Sequence, residues 1–122
     1  MNVCSRLGFA NMSNELVLYS RTFGCPLTAL VKETLKRYAI SYREVFIDRD
    51  DQAKERVVGW TGFQSVPTLI VAETGEDTPV APPIPLAPGH SPRGIDRGVL
   101  ITEPNTDQLT MWLQKHGFIT SR

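Results

Sequence analysis

Residues 16–28 read LVLYSRTFGCPLT, and this stretch decides the fold. The apolar run 16–19 is typical of a strand, and the residues from Pro26 onward have helical periodicity. Cys25 therefore falls at a strand-to-helix turn, in the N-cap position, and Pro26 takes the first helical position, where an N–H would be unpaired anyway. The N–H groups of the first turn and the positive end of the helix favour a thiolate there. The pattern indicates a reactive cysteine, with a buried structural cysteine as the alternative.

The composition is that of one globular domain. The 122 residues are 41% apolar and 21% charged, enough for one core and too few for two. Because 13 basic residues balance 13 acidic ones, the charge gives no reason to expect a nucleic acid or an anionic membrane as partner. No apolar run approaches the roughly 20 residues that span a bilayer. The sequence therefore predicts a domain with neither partner.

The sequence predicts that residues 1–14 form a flexible tail and that residues 15–119 form a single domain. The tail has no continuous apolar segment of the kind found in secretory signals, and two cysteines do not form a disulfide framework. We therefore expect a cytoplasmic protein. Cys4, in the tail, is either an incidental exposed thiol or a resolving thiol that pairs with Cys25.

Beyond the opening stretch, strands and helices alternate. The pattern predicts helices from Pro26 to about Tyr38, from the aspartate cluster at 48–51 to about Trp60, and over 106–116, and further strands over 42–47, 68–72 and 99–102. The first helix should bury one face, formed by Leu27, Leu30, Val31, Leu35 and Tyr38. The run 45–47 is of the fully buried type. The last helix should begin at Asn105 or Thr106 as cap and end at Gly117. This order predicts an α/β sheet with a parallel pair.

Six of the nine prolines fall in the segment 79–92, within a long insertion at about 74–98. Without backbone donors this segment forms neither a helix nor a central strand, so we expect an extended, semi-rigid surface loop. A docking motif for a protein partner is the alternative. The two histidines, His90 and His116, have no partners at metal-ligand spacing, so we expect them on the surface and predict no metal site.

Cys25 at its turn, Val66-Pro67 before a strand, and the capped last helix together resemble the glutaredoxins. The resemblance extends over residues 15–72 and 99–117 and includes the runs YREVFID and TGFQSVPT. It implies a thioredoxin-like fold, β-α-β-α-β-β-α, in which helices flank a four-stranded mixed sheet in the order 2-1-3-4. It also implies a cis peptide bond at Val66-Pro67, with the proline against the reactive sulfur.

The resemblance also implies the chemistry. Family members of the dithiol type have a second cysteine where this chain has Thr28, so an intramolecular disulfide cannot form there. The implied route is monothiol: the Cys25 thiolate attacks a glutathione mixed disulfide, and a second glutathione resolves the adduct. Thr28 is a candidate hydrogen-bond donor to the thiolate, or simply a polar residue of the first turn.

Glutathione, as co-substrate, needs donors for its carboxylates, and the resemblance points to a set of binding residues. Arg21 is offset by one residue from the family's basic position, and Gln64 is a candidate contact to the glycyl carboxylate. The backbone of Val66, beside Pro67, would pair with the cysteine of a bound glutathione or peptide. The family's glycine pair before the last helix is missing here. Thr106 and Asp107, at the start of the last helix, still provide N–H groups that can bind a carboxylate.

Three functions stay open at this point. The first is a glutathione-dependent oxidoreductase that acts on glutathionylated or disulfide-bonded proteins, as a monomer or weak dimer. The second is a carrier of a [2Fe–2S] cluster with Cys25 as ligand, although the usual cluster motif of related proteins is Cys-Gly-Phe-Ser. The third is a non-catalytic binding module that uses the proline-rich segment.

Overall fold

The computed structural model describes residues 14–23 and 26–119. Its elements, in chain order, are β1 (Asn14–Ser20), α1 (Pro26–Arg37), β2 (Tyr42–Phe46), α2 (Asp51–Thr61), β3 (Thr68–Glu73), β4 (Leu100–Thr102) and α3 (Thr106–Lys115). Every predicted element is present, with ends that move by one or two residues. Cys4 and Cys25 lie outside the described residues, and so do nearly all of the predicted tail and the proposed pairing of the two thiols.

The sheet has the order β2-β1-β3-β4, which confirms the topology that the resemblance implied. β1 pairs in parallel with β2, and Leu16 lies opposite Tyr42 in this pair. The β1–β3 and β3–β4 pairs are antiparallel. The parallel pair follows from the α1 crossover that joins β1 to β2, and the antiparallel pairs place the start of β3 beside the end of β1.

Two cores lie on opposite faces of the sheet, because alternate residues of β1 and β3 point to opposite sides. One core packs beneath α1 and α3 and contains Leu16, Leu18, Val31, Leu35, Leu69, Val71, Ile101, Leu109, Trp112 and Leu113. The other lies beneath α2 and contains Val17, Tyr19, Ile47, Ala53, Val57, Val66, Ile70, Ala72 and Leu100. β1 is thus covered on both faces, and Leu16 to Tyr19 are fully buried.

The buried face of α1 differs from the predicted one. Leu30 is 48% exposed and Tyr38 is exposed as well, so their assignment to the core was wrong. The helix instead buries Thr28 and Thr34 beside Val31 and Leu35. Thr34 is tolerated there because its hydroxyl donates to the carbonyl of Leu30, 3.1 Å away, which satisfies the polar group inside its own helix.

β2 is also less buried than predicted. The run Val45-Phe46-Ile47 suggested a fully buried strand, but every residue of Tyr42–Phe46 is only partly buried. The reason is that β2 is the edge strand of the sheet and has one neighbour only. Ile47, which follows the strand, is buried, because it turns into the core beneath α2.

The helix ends follow from local capping. Asp50 is the N-cap of α2 and accepts from the N–H groups of Gln52 and Ala53, and Gly62, with φ 82°, ends that helix. α3 begins with a capping box between Asn105 and Gln108. Its C-cap is His116 rather than the predicted Gly117. Gly117 takes the next position, with φ 81°, where a left-handed residue lets its N–H bond back to Gln114.

The proline-rich loop (residues 74–98) has no helix and no strand, as expected, but it is anchored at both ends. Val80 donates its N–H to the carbonyl of Val71 in β3, and Asp96 forms an isolated bridge with Ile101 on the outer edge of β4. Arg97, the buried residue that follows Asp96, donates from Nε to the carbonyl of Ile84 at 2.8 Å and from Nη1 to that of Trp60 at 2.5 Å. Arg97 therefore fastens the loop to the C-terminal end of α2.

His116 is half-buried, which corrects the prediction of a surface residue, whereas His90 is exposed as predicted. The His116 ring lies 4.8 Å from that of Trp112, and its Nε2 is 2.7 Å from the carbonyl of Gly98. The interaction with the end of the proline-rich loop draws the histidine inward. None of the helices formed by the described residues is long and apolar enough to cross a membrane.

Candidate functional site

The predicted site residues converge on one end of the sheet. β1 ends there and β3 begins there, since Tyr19 is opposite Thr68, and β4 ends there, since Thr68 is opposite Thr102. The hydroxyl oxygens of Thr68 and Thr102 lie 3.2 Å apart and join the two strands at this end. The segments that follow β1, precede β3 and precede α3 therefore meet, and the sequence places Cys25 in the first of them.

Arg21 connects the first two segments. Its Nη2 donates to the carbonyl of Gln64 at 2.9 Å, and its guanidinium lies over the ring of Phe23, 5.9 Å from the centroid. Arg21 and Gln64, both predicted site residues, are thus brought together. A guanidinium has five N–H donors, so this one contact leaves most of its hydrogen-bonding capacity for a ligand.

Asp48 holds the chain just before Gly24 and Cys25. The hydroxyl of Thr22 donates to its carboxylate at 2.5 Å, and the Thr22 N–H lies 3.2 Å from each carboxylate oxygen. The hydrogen bond from the Thr22 hydroxyl is the main cause that lowers the pKa of Asp48. Sequence reasoning missed this link, because the aspartates at 48–51 were interpreted only as a helix start.

The segment before β3 presents backbone next to the site. The Val66–Pro67 peptide bond is cis, and both side chains are buried. The carbonyl of Pro67 accepts from the N–H of Glu103 at 2.7 Å, which joins this segment to the turn before α3. The backbone N–H and carbonyl of Val66 have no hydrogen bond within the part of the chain that the structure describes.

Thr28 lies in the first turn of α1 and is only 7% exposed. Its Oγ1 is buried and finds no hydrogen-bond partner among the described residues. A buried hydroxyl without a partner costs free energy, so native proteins seldom retain one without a use. Thr28 follows Cys25 by three residues in the sequence and lies in the first turn of α1, the helix that Cys25 precedes.

The N-terminus of α3 contributes Thr106 and Asp107. The Asn105–Gln108 capping box satisfies the N–H of Gln108 and that of Asn105, at 2.8 Å each. The N–H groups of Thr106 and Asp107 make no hydrogen bond within residues 14–23 and 26–119, as expected for the first turn of a helix. These two N–H groups are the kind that bind an anion at a helix start, and no hydrogen bond or ion pair among the described residues joins Thr106 or Asp107 to the other predicted site residues.

Two exposed aromatic rings border the site. Phe23 is 63% exposed and Phe63 is 64% exposed, although large apolar side chains are usually buried. Thr61 fixes the turn that presents Phe63, since its hydroxyl contacts both the N–H and the carbonyl of that residue. Exposed aromatic rings at a site favour contact with a further molecule.

No group of three or more His, Cys, Asp or Glu side chains within the described segments is arranged to hold a metal ion.

The fold and this end of the sheet define a domain of the thioredoxin-like class. Residues 16–75 match the family model for glutaredoxin, and over this stretch the chain belongs to the glutaredoxin family. Family and fold support a function of the thiol–disulfide oxidoreductase kind.

Solved glutaredoxin structures are similar to the chain at low identity. A glutaredoxin from Archaeoglobus fulgidus is 26% identical with a TM-score of 0.41, over 55% of this chain and 76% of that one. A buckwheat glutaredoxin–glutathione complex is 18% identical with a TM-score of 0.47, over 92% and 90%. The holo form of glutaredoxin C1 from Populus tremula × tremuloides is 19% identical with a TM-score of 0.43, over 86% and 79%. No curated protein matches the sequence.

Proposed function

We propose that the protein is a thiol–disulfide oxidoreductase that works through Cys25 alone and uses glutathione or a related thiol as co-substrate. The observation that carries this proposal is the convergence of three segments at one end of the sheet, where Arg21 contacts Gln64 and Glu103 contacts Pro67. In sequence, Cys25 lies between Arg21 and the first residue of α1. A thiol at the start of a twelve-residue helix meets its positive end, which favours the reactive thiolate.

The reaction is a pair of thiol–disulfide exchanges. The Cys25 thiolate attacks the glutathione sulfur of a protein–glutathione mixed disulfide; a new S–S bond forms, the old one breaks, and the protein sulfur leaves as a thiolate that takes a proton from solvent. A second glutathione thiolate then attacks the glutathione sulfur bound to Cys25, which releases glutathione disulfide and restores the Cys25 thiolate. Since Thr28 cannot form a disulfide, the second step needs an external thiol.

The described residues have roles in this scheme. The free backbone of Val66 pairs in the manner of a strand with the cysteine of the bound glutathione. Arg21 and Gln64 contact one carboxylate, and the N–H groups of Thr106 and Asp107 bind the other. The buried hydroxyl of Thr28 donates to the sulfur at the start of α1, which gives the atom the partner that it lacks among the described residues.

A cytoplasmic setting suits this activity, because the cytosol maintains a reduced glutathione pool. The substrates are then glutathionylated or disulfide-bonded proteins, and a monomer or weak dimer suffices because one cysteine performs each exchange.

The experiment measures reduction of a glutathionylated model protein with glutathione, glutathione reductase and NADPH. We expect turnover by the wild type, its loss in Cys25→Ser, and its retention in the matched control Cys4→Ser. Mass spectrometry should find the glutathione adduct on Cys25. No turnover and no adduct in the wild type would contradict the proposal. Loss of turnover in Cys4→Ser would instead make Cys4 the resolving thiol.

Anaerobic reconstitution with iron and sulfide tests the alternative of a [2Fe–2S] carrier. Visible absorption that depends on Cys25 and glutathione, without turnover of the mixed disulfide, would replace the oxidoreductase assignment by that of a cluster carrier.

A further inference from the structure

The returning end of the proline-rich loop brings a basic side chain to the edge of the site. Arg93 forms an isolated bridge with Thr102, and the N–H of the next residue, Gly94, donates to the Thr102 carbonyl at 2.6 Å. The Arg93 side chain is 69% exposed. An arginine from an insertion far along the chain thus lies where β4 ends, at the same end of the sheet as the candidate site.

A single ion pair links Arg93 to the site. Its Nε lies 3.4 Å from Oε1 of Glu103, and the N–H of Glu103 donates to the carbonyl of Pro67. Arg21 binds the carbonyl of Gln64, at one end of the segment 64–67, and Glu103 connects Arg93 to Pro67 at the other end. A substrate that lies along Val66 therefore lies between the residue that Arg21 contacts and the residue to which Glu103 connects Arg93.

The backbone around Arg93 is well fixed. Gly94 has φ 73°, and a Cβ at that position would lie 2.7 Å from Oε1 of Gln108 in the first turn of α3. On its other side, the N–H of Arg93 donates to the hydroxyl of Ser91 at 3.2 Å. Because the chain is held on both sides, Arg93 is presented at a defined place while its guanidinium keeps its freedom.

The contact to Glu103 is weak enough to be exchanged. The ion pair is a single long contact, and the Arg93 side chain is largely exposed. Such surface pairs contribute little to stability. A substrate carboxylate could instead take the two-donor geometry in which guanidinium groups bind carboxylates most strongly. Exchange of Glu103 for a substrate carboxylate therefore costs little and gains a better hydrogen-bonded pair.

We propose that Arg93 is a substrate-binding residue that pairs with a carboxylate of the thiol substrate, and that Glu103 is its competitor within the chain. This inference rests on the function proposed above, with glutathione as the carboxylate-bearing substrate. The proline-rich loop is then a part of the binding site and does more than cover the sheet.

The test compares Arg93→Gln, Glu103→Gln and the double variant. We expect Arg93→Gln to raise the KM for the glutathionylated protein and the dissociation constant of S-methylglutathione by about threefold to fivefold, the range of one partly exposed charge pair, with kcat unchanged. Glu103→Gln should lower both constants, because it frees the guanidinium. The double variant should match Arg93→Gln. Arg37→Gln, which removes the same charge from the far end of α1, is the control.

A structural role predicts a different pattern. If the pair only pins the loop, Arg93→Gln and Glu103→Gln should have the same effect, on thermal unfolding more than on KM, and this result would overturn the inference. S-Methylglutathione cannot react, so its binding is measured even if turnover is absent. Weaker binding by Arg93→Gln without wild-type turnover would support Arg93 and contradict the proposed reaction, whereas no binding by the wild type would overturn the inference.

Discussion

The contact between Thr22 and Asp48 joins the ends of two neighbouring parallel strands. Thr22 follows β1 and Asp48 follows β2, and the carboxylate accepts from both the N–H and the hydroxyl of the threonine. Because these bonds lower the pKa of Asp48, the carboxylate stays ionised, and the link stays intact, down to pH values below the ordinary range of aspartate. The segment that leads to Cys25 is therefore held at any pH at which a thiolate reacts.

We expect Asp48→Ala to lower kcat/KM for the glutathionylated substrate by about tenfold, since small displacements of reacting groups cost that much or more. The unfolding temperature should change little, because Asp48 is exposed. Asp48→Asn, which keeps an acceptor oxygen for Thr22, should retain most of the activity. Asp51→Asn, at an exposed acidic position that does not contact Thr22, is the control. Equal activity of Asp48→Ala and the wild type would show that the link has no part in positioning.

At the level of the elements, local patterns were sufficient to predict the strands, the helices and most caps. The sequence could not predict the rotation of α1, because hydrophobicity ranks Leu30 above Thr34, whereas the structure buries the threonine. The hydroxyl of Thr34 is satisfied by a carbonyl of its own helix, so burying it costs little, and packing against α3 decides the face.

The proline-rich loop shows the other limit of local patterns. Its prolines predicted an extended chain, but not that buried Arg97 would fasten it to Trp60. Contacts between distant residues, such as Thr22 with Asp48 or Arg93 with Glu103, leave no local signal. The sequence could therefore predict what a single motif carries, such as the cis peptide bond at Val66-Pro67. The role of Cys25 stays a prediction, and the links through Asp48 and Glu103 could not be predicted.

Gly94 tests whether the loop packs against α3 as described. Gly94→Ala should lower the free energy of unfolding by about 2–3 kcal/mol, because alanine is disfavoured at positive φ and must also displace the Gln108 side chain from the capping box. Gly89→Ala is the matched control. Gly89 has φ 79° but nothing within 4 Å of an added Cβ, so only the backbone term of about 1 kcal/mol applies. Equal losses in chemical denaturation would contradict the packing of Gly94 on α3.

At the scale of the whole molecule, one carbonyl joins the last helix to the proline-rich loop. The carbonyl of Gly98 accepts from Nε1 of Trp112 at 2.8 Å and lies 2.7 Å from Nε2 of His116. Since a carbonyl only accepts, Nε2 carries the hydrogen in the neutral ring. The core beneath α1 and α3 thereby connects with the loop that Arg97 fastens to the end of α2.

His116 makes the stability of the whole fold depend on pH. Burial is the main cause that lowers its pKa below the ordinary value of 6.5, and the bond to Gly98 opposes the shift only in part; nearby Lys115 lowers the pKa and Asp96 raises it. The unfolded chain therefore binds a proton at a higher pH than the folded one. Stability is fully present above pH 6.5 and decreases as the pH falls toward and through the folded pKa.

His116→Gln keeps a side-chain donor for Gly98 and cannot titrate. We expect its free energy of unfolding, from urea denaturation between about pH 7.5 and pH 5, to fall less on acidification than that of the wild type. His90→Gln, which removes a histidine from an exposed position, is the control. Parallel curves for the wild type and His116→Gln would contradict this prediction. They would show that protonation of the half-buried ring does not lower the free energy of unfolding.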